Sequence, residues 1–268
     1  MTLRPVSLNY FLPESPSVIR GNNFTVSCFQ GQDATAFSFG STDETILISA
    51  RNQASVTLNG VETQILPRSV AILPAGNMEI GIPKNGQVFA LTTGLIDDAN
   101  PVLNAEAYAQ EDTRVRPVGQ PLKVNHPKAH EVHVYPIDEV PFPVGNPRLK
   151  FLQSATMSIN WVEYQGPRDR TKLSPHAHDD FEQGSLAIEG DFIHHIRAPW
   201  ARDANTWLED AHLEASAGSL AIIPPDLIHT TEGVGVGPHI LIDVFGPVRR
   251  DFVEKGWMHN AGDYTSSS

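Results

Sequence analysis

The chain of 268 residues has a single cysteine, Cys28. No disulfide can form within it, and a reducing cytoplasm is the compartment this predicts. Basic residues are also few: 19 Lys and Arg stand against 31 Asp and Glu, a formal charge of −12. Binding phosphates needs clustered Lys and Arg, so the balance argues against nucleic acid or an anionic membrane as partner. No apolar run reaches the roughly 18 residues that a bilayer-spanning helix requires. The opening residues Met1 to Tyr10 lack the apolar stretch of a signal peptide. The sequon Asn23-Phe24-Thr25 is accordingly read as a chance pattern. Helical patterning is scarce. Val248 to Lys255, stopped by Gly256, is the best candidate.

What the chain does contain is many short β-rich runs separated by turns. In the first half these are Thr45 to Ser49, Ala54 to Leu58 before the hairpin signal Asn59-Gly60, Ser69 to Leu73, and Gln87 to Leu91. In the second half Met157 to Tyr164, Gly184 to Ile188, Phe192 to Ile196, Ser219 to Ile223 and His239 to Phe245 follow in similar order. Ala71-Ile72-Leu73-Pro74-Ala75-Gly76 is echoed by Ala221-Ile222-Ile223-Pro224-Pro225-Asp226, which points to a duplicated unit. The pattern predicts an all-β protein built as sandwiches or barrels. Residues 101–147 hold eight of the 21 prolines and read as an extended connector, with an edge strand near Glu131 to Tyr135. The expected division is therefore 1–100, 101–147 and 148–268.

The chemistry concentrates in Pro175-His176-Ala177-His178-Asp179-Asp180-Phe181-Glu182-Gln183, with His229 about fifty residues later. Histidines at i and i+2 on a strand face the same side. Two imidazoles on one face, a third after a Pro-containing turn, and an oxygen donor close by suit a first-row metal.

These residues resemble the cupin family. Its first motif, G-x5-H-x-H-x3,4-E-x6-G, is matched at His176, His178 and Gly190. Its second, G-x5-P-x-G-x2-H-x3-N, is matched at Gly218, Pro224 and His229, with Asp226 in the place of glycine and Gly233 in that of asparagine. The resemblance implies two cupin barrels (double-stranded β-helix, or jelly-roll) in tandem, and a metal held by His176, His178, His229 and a fourth side chain. Counting forward from His178 allows Glu182 or Gln183 in that place. Counting back from Gly190 selects Gln183, which puts Ser185 and Ala187 on the same inward face. In the first half the histidine position falls on Glu79, and the strand that should carry the first motif has no histidine. One divalent transition ion per chain (Fe, Mn, Ni or Zn), in the second half only, is the expectation.

Other residues have a weaker place in this reading. His194 and His195 are adjacent and face opposite sides of their strand, and His195 and Arg197 share a parity. His195 as a base and Arg197 as a partner for a substrate carboxylate are the candidate catalytic residues. Trp161 and Tyr164 are expected in the core or the pocket wall. His126, His130 and His133 are expected to face solvent, as are Asp179 and Asp180. The resemblance implies a metal-dependent enzyme acting on a small oxygenated organic molecule, dioxygenase-like before decarboxylase or isomerase. The alternative is a non-catalytic small-molecule binder or sensor. A homodimer is expected in either case.

Overall fold

A computed structural model describes residues 3–13, 15–97, 100–125 and 129–265 of the chain. It is almost wholly β. Among the described residues the single α-helix is Arg250–Glu254, inside the stretch whose pattern predicts one. His126 and residues 266–268 lie outside the described residues.

Each half folds as a large and a small antiparallel sheet, and the strand order of the large sheet is the same in both. In the first half the large sheet runs His133–Pro136, Ser69–Leu73, Thr45–Ser49, Gln87–Thr92, Thr25–Gln30, Ser17–Arg20. In the second it runs Ser7–Tyr10, Ser219–Ile223, Gln183–Glu189, Pro238–Phe245, Ser158–Gln165, Leu149–Gln153. The duplicated segments Ser69–Leu73 and Ser219–Ile223 thus hold matching places. The small sheet of the first half contains Thr35–Ser41, Gly76–Ile82, Ala54–Leu58 and Val61–Ile65. That of the second contains Ala211–Ser216, Asp191–Arg197 and Ile228–Val234.

Both large sheets are closed by a strand from elsewhere in the chain. Ser7–Tyr10 pairs with Ser219–Ile223, and His133–Pro136, the edge strand expected in the connector, pairs with Ser69–Leu73. A free strand edge invites unwanted pairing, and these two edges are satisfied internally. His130 is exposed ahead of this edge strand, and His133 is half-buried on it.

Strand alternation explains how one sheet serves two cores. Leu186 and Ile188 face one way and pack with Ile159, Trp161, Ile240 and Ile242 against Ile46, Ile48, Phe89 and Leu91 of the first half. The large sheets are therefore joined through a common apolar core, in which Trp161 is fully buried. Burying each such aliphatic side chain contributes about 1.5–3 kcal/mol. Ala187 faces the other way and joins Val162, Phe192, Ala215 and Leu241 inside the second half. That interior is small and partly polar, because Gln183, Ser185, Asn160 and Asp243 lie on the same side.

Candidate metal centre

The three histidines of the motif are brought together by a short backbone pairing. His176 N–H donates to the His229 carbonyl at 3.0 Å, His229 N–H to the His176 carbonyl at 2.7 Å, and Asp226 N–H to the His178 carbonyl at 2.7 Å. Asp226 makes this turn at φ +71°. Aspartate is among the few residues that visit the left-handed region, which accounts for its standing where the motif asks for glycine. One ring nitrogen from each of His176, His178 and His229 lies within 4.8 Å of the others. His176 is exposed, His178 half-buried and His229 buried, so the cluster spans from the interior to the mouth.

Gln183 opens the strand Gln183–Glu189 and faces the histidines. Its Oε1 lies 2.9 Å from His178 Nε2 and 3.3 Å from His229 Nε2. Its Nε2 donates to Asp243 Oδ1 at 3.0 Å and to Ser185 Oγ at 3.3 Å. The amide is thereby oriented with its carbonyl toward the rings. Glu182, one residue earlier, points to the opposite face as alternation requires. It is buried, accepts from Asn22 N–H at 2.6 Å and Tyr108 O–H at 3.1 Å, and lies 3.8 Å from Arg4.

The donor set fits a cation. His229 Nδ1 sits 2.8 Å from the Leu227 carbonyl, which only accepts, so the ring proton is on Nδ1 and Nε2 is bare. His176 Nδ1 is held in the same way by the Ser174 carbonyl at 2.9 Å. The bare His229 Nε2 therefore confronts the Gln183 carbonyl oxygen, lone pair to lone pair. A positive ion between them removes that conflict, and the Nδ1 atoms of His176 and His229 already have the hydrogen-bond partner that orients a metal-bound histidine.

Burial sets the charge state of the cluster. It pushes the His178 pKa down to about 3 and that of His229 down to about 4, so both rings are neutral near pH 7. A histidine whose folded pKa lies below its unfolded value stabilises the fold fully above the unfolded value of 6.5, and this is lost as pH falls toward the folded values. The metal-free chain is expected to lose thermal stability through these two rings as pH falls from about 6.5 toward about 4. His229→Gln is expected to show a shallower decline than the wild type over that range in a thermal-melt series. An equal slope in both proteins would contradict the assignment.

A cavity of about 270 Å³ opens beside the cluster, lined among others by Arg148, Tyr164, Arg168, Thr231 and Asp243. Both guanidinium groups lie 5.9 Å from the centre of the Tyr164 ring. Neither forms an ion pair with a carboxylate among the described residues. Burial, and then the charge of Arg168, lower the pKa of Arg148. Asp243 is half-buried in the cavity wall, and loss of hydration there is the chief cause that raises its pKa to about 6. Phe181 stacks on the His178 ring at 4.4 Å and, with Phe245, forms an apolar side of the centre.

The second-rank residues fall elsewhere. Phe192 and Ile196 are buried on the inner face of Asp191–Arg197, so His194 between them is inside and fully buried. Its Nδ1 lies 2.9 Å from Thr231 Oγ1. By the same alternation His195 and Arg197 are on the outer face, where His195 contacts Glu232 and His212 and Arg197 pairs with Asp210. Asp180 pairs with Arg116 at 3.4 Å. Asp243, Arg148 and Arg168 escaped the sequence reading. The signal for Asp243 was a lone carboxylate within an apolar strand.

No protein-family model matches the sequence, and no curated protein matches it. Solved structures do. An oxalate decarboxylase structure described for an element that modulates proton-coupled electron transfer aligns with a TM-score of 0.57 at 14% identity, over 92% of this chain and 78% of that one. A mutant of Bacillus subtilis oxalate decarboxylase with one serine replaced by alanine aligns at 0.56 and 12%, over 84% and 69%. A Bacillus subtilis oxalate decarboxylase structure concerned with its Mn(II) centres aligns at 0.54 and 12%, over 90% and 75%. The chain shares their fold. At such identity the likeness extends to the cupin-type architecture and no further.

Proposed function

We propose that the chain is a metal-dependent enzyme that acts on a small, oxygenated, anionic organic molecule. One divalent transition ion would be held by His176, His178, Gln183 and His229. The observation that carries the reading is a neutral donor set facing a cavity whose two guanidinium groups have no carboxylate partner among the described residues. Three imidazoles and an amide leave a divalent ion's full charge in place. Arg148 and Arg168 add more positive charge beside it. A carboxylate is the ligand that guanidinium groups recognise with two parallel hydrogen bonds.

A divalent ion bound there would supply Lewis acidity at its open positions. The chain's own residues supply the rest. Arg148 and Arg168 bind and orient the anionic end of the substrate, and Tyr164 gives them a common surface. Asp243 holds the Gln183 amide so that its oxygen, and not its nitrogen, faces the ion site. Phe181 and Phe245 exclude water from one side. The similar structures are those of a decarboxylase, and one is described for its Mn(II) centres. Decarboxylation and dioxygenase-like oxidation both lie within the proposal, and manganese or iron suits either. Across the proposed division at about residues 100 and 148, Ser7–Tyr10 of the first part pairs into the large sheet of the last, and His133–Pro136 of the connector pairs into that of the first.

The test is a screen of small hydroxy-, oxo- and dicarboxylic acids with the metal-loaded protein, reading oxygen uptake and CO₂ release separately. Turnover of at least one acid is expected, and none of the corresponding amides should react. Arg148→Gln and Arg168→Gln are each expected to raise KM about 10-fold or more, from the roughly 1.5–3 kcal/mol of a hydrogen bond to a charged group, and to leave metal content unchanged. An unchanged KM in both variants would contradict carboxylate recognition at this place.

A further inference from the structure

The outer face of the small sheet in the second half carries a second group of side chains of the kinds that ligate metals: His195, His212 and Glu232. His195 and His212 stand directly opposite each other in the pairing of Asp191–Arg197 with Ala211–Ser216. Their Nδ1 atoms are 2.7 Å apart. On its other side His195 Nε2 lies 2.9 Å from Glu232 Oε2, contributed by Ile228–Val234. Glu232 is only 5% exposed, and its second oxygen is held by Arg170 at 3.1 Å. The chain segment bearing Arg170 runs along the edge strand Ile228–Val234, with Arg168 N–H donating to the Gly233 carbonyl at 3.0 Å.

We propose that His195 and His212 form a second, exchangeable binding site for a late first-row divalent cation, with Glu232 as the carboxylate that orients His195. The tautomer follows from the partners. An ionised carboxylate only accepts, so the His195 proton sits on Nε2 and its Nδ1 lone pair is bare. That lone pair points at Nδ1 of His212. In the metal-free chain the contact holds through the His212 Nδ1 proton; when a divalent ion takes Nδ1, that proton moves by way of water to Nε2 of the exposed ring, which stays neutral. A carboxylate bonded to the far nitrogen of a metal-bound imidazole raises its basicity and fixes its plane. Glu232 has that relation to His195, and Arg170 keeps Glu232 in place.

The geometry needs little adjustment. Metal–nitrogen bonds of about 2.0–2.1 Å at a tetrahedral angle set two nitrogens about 3.4 Å apart. The exposed His212 ring can turn outward by the difference. Two imidazoles leave the remaining positions to water, so the site binds more weakly than the three-histidine centre and favours copper, nickel or zinc over manganese or iron. It takes up added metal and releases it on desalting.

Copper(II) added to the His176→Ala/His178→Ala protein separates this site from the interior centre. One equivalent is expected to bind, with an electron paramagnetic resonance spectrum showing two nitrogen donors. His212→Ala on the same background should weaken that binding at least about 10-fold and leave one nitrogen at most. Glu232→Gln should weaken it about 10- to 100-fold while both nitrogens remain in the spectrum. Copper affinity and nitrogen count that are indifferent to His212→Ala would overturn the proposal, as would failure of the double variant to bind copper. Neither outcome would bear on the interior centre, which is absent from that background.

Discussion

Replacing both His176 and His178 with Ala is expected to leave a chain that folds but retains no metal ion after desalting. The two rings come from the loop ahead of the strand Gln183–Glu189, and His176 is exposed, so their loss opens no hole in the shared apolar core. What remains is His229 and the Gln183 carbonyl, and two neutral donors do not hold a first-row ion tightly. Activity on any substrate found in the screen should fall to background. Elemental analysis beside a circular-dichroism melt checks this. An emptied site with an unchanged far-ultraviolet spectrum supports the assignment. One retained equivalent in the double variant would refute it.

The second large effect separates neighbouring residues. Gln183→Ala is expected to weaken metal binding about 10- to 100-fold or more, the cost typical of defects in the ligand shell. Glu182→Ala should not. Its carboxylate accepts from Asn22 and Tyr108 in a buried place, so its loss should cost stability, on the order of 1–3 kcal/mol, while metal content stays near the wild-type value. Gln183→Glu should keep the ion but lower its Lewis acidity, because the added charge neutralises part of it. Metal titration and urea melts of the three variants decide the matter. Metal lost in Glu182→Ala and kept in Gln183→Ala would invert the assignment.

These residues also show what was legible in the sequence. Gln183 is preferred to Glu182 on the spacing back from Gly190 and on strand parity, and the direction its side chain takes, toward the histidines, is what parity alone can give, since it depends only on alternation along one strand. The duplicated order of strands was legible for the same reason, since Ala71 to Gly76 and Ala221 to Asp226 repeat one local pattern. The same parity rule put His195 and His194 on opposite faces. Choosing the inner one needed Phe192 and Ile196 as the buried pair, with His194 between them. The exchanged strand Ser7–Tyr10 was hidden because it is short, largely half-buried, and paired to residues at the far end of the chain. Arg148 and Arg168 were hidden because they flank the strands Leu149–Gln153 and Ser158–Gln165, where no periodicity marks a direction. They meet at Tyr164 only after the sheet has formed.

The measurement that tests the account most directly is a crystal of the chain grown without added metal, with anomalous diffraction recorded across the edges of manganese, iron, nickel and zinc. The account predicts one peak per chain, bounded by His176, His178, His229 and the Gln183 carbonyl, with Glu182 turned away. A peak beside Glu79, a site closed by Glu182, or a three-histidine cluster with no peak at any edge would contradict it.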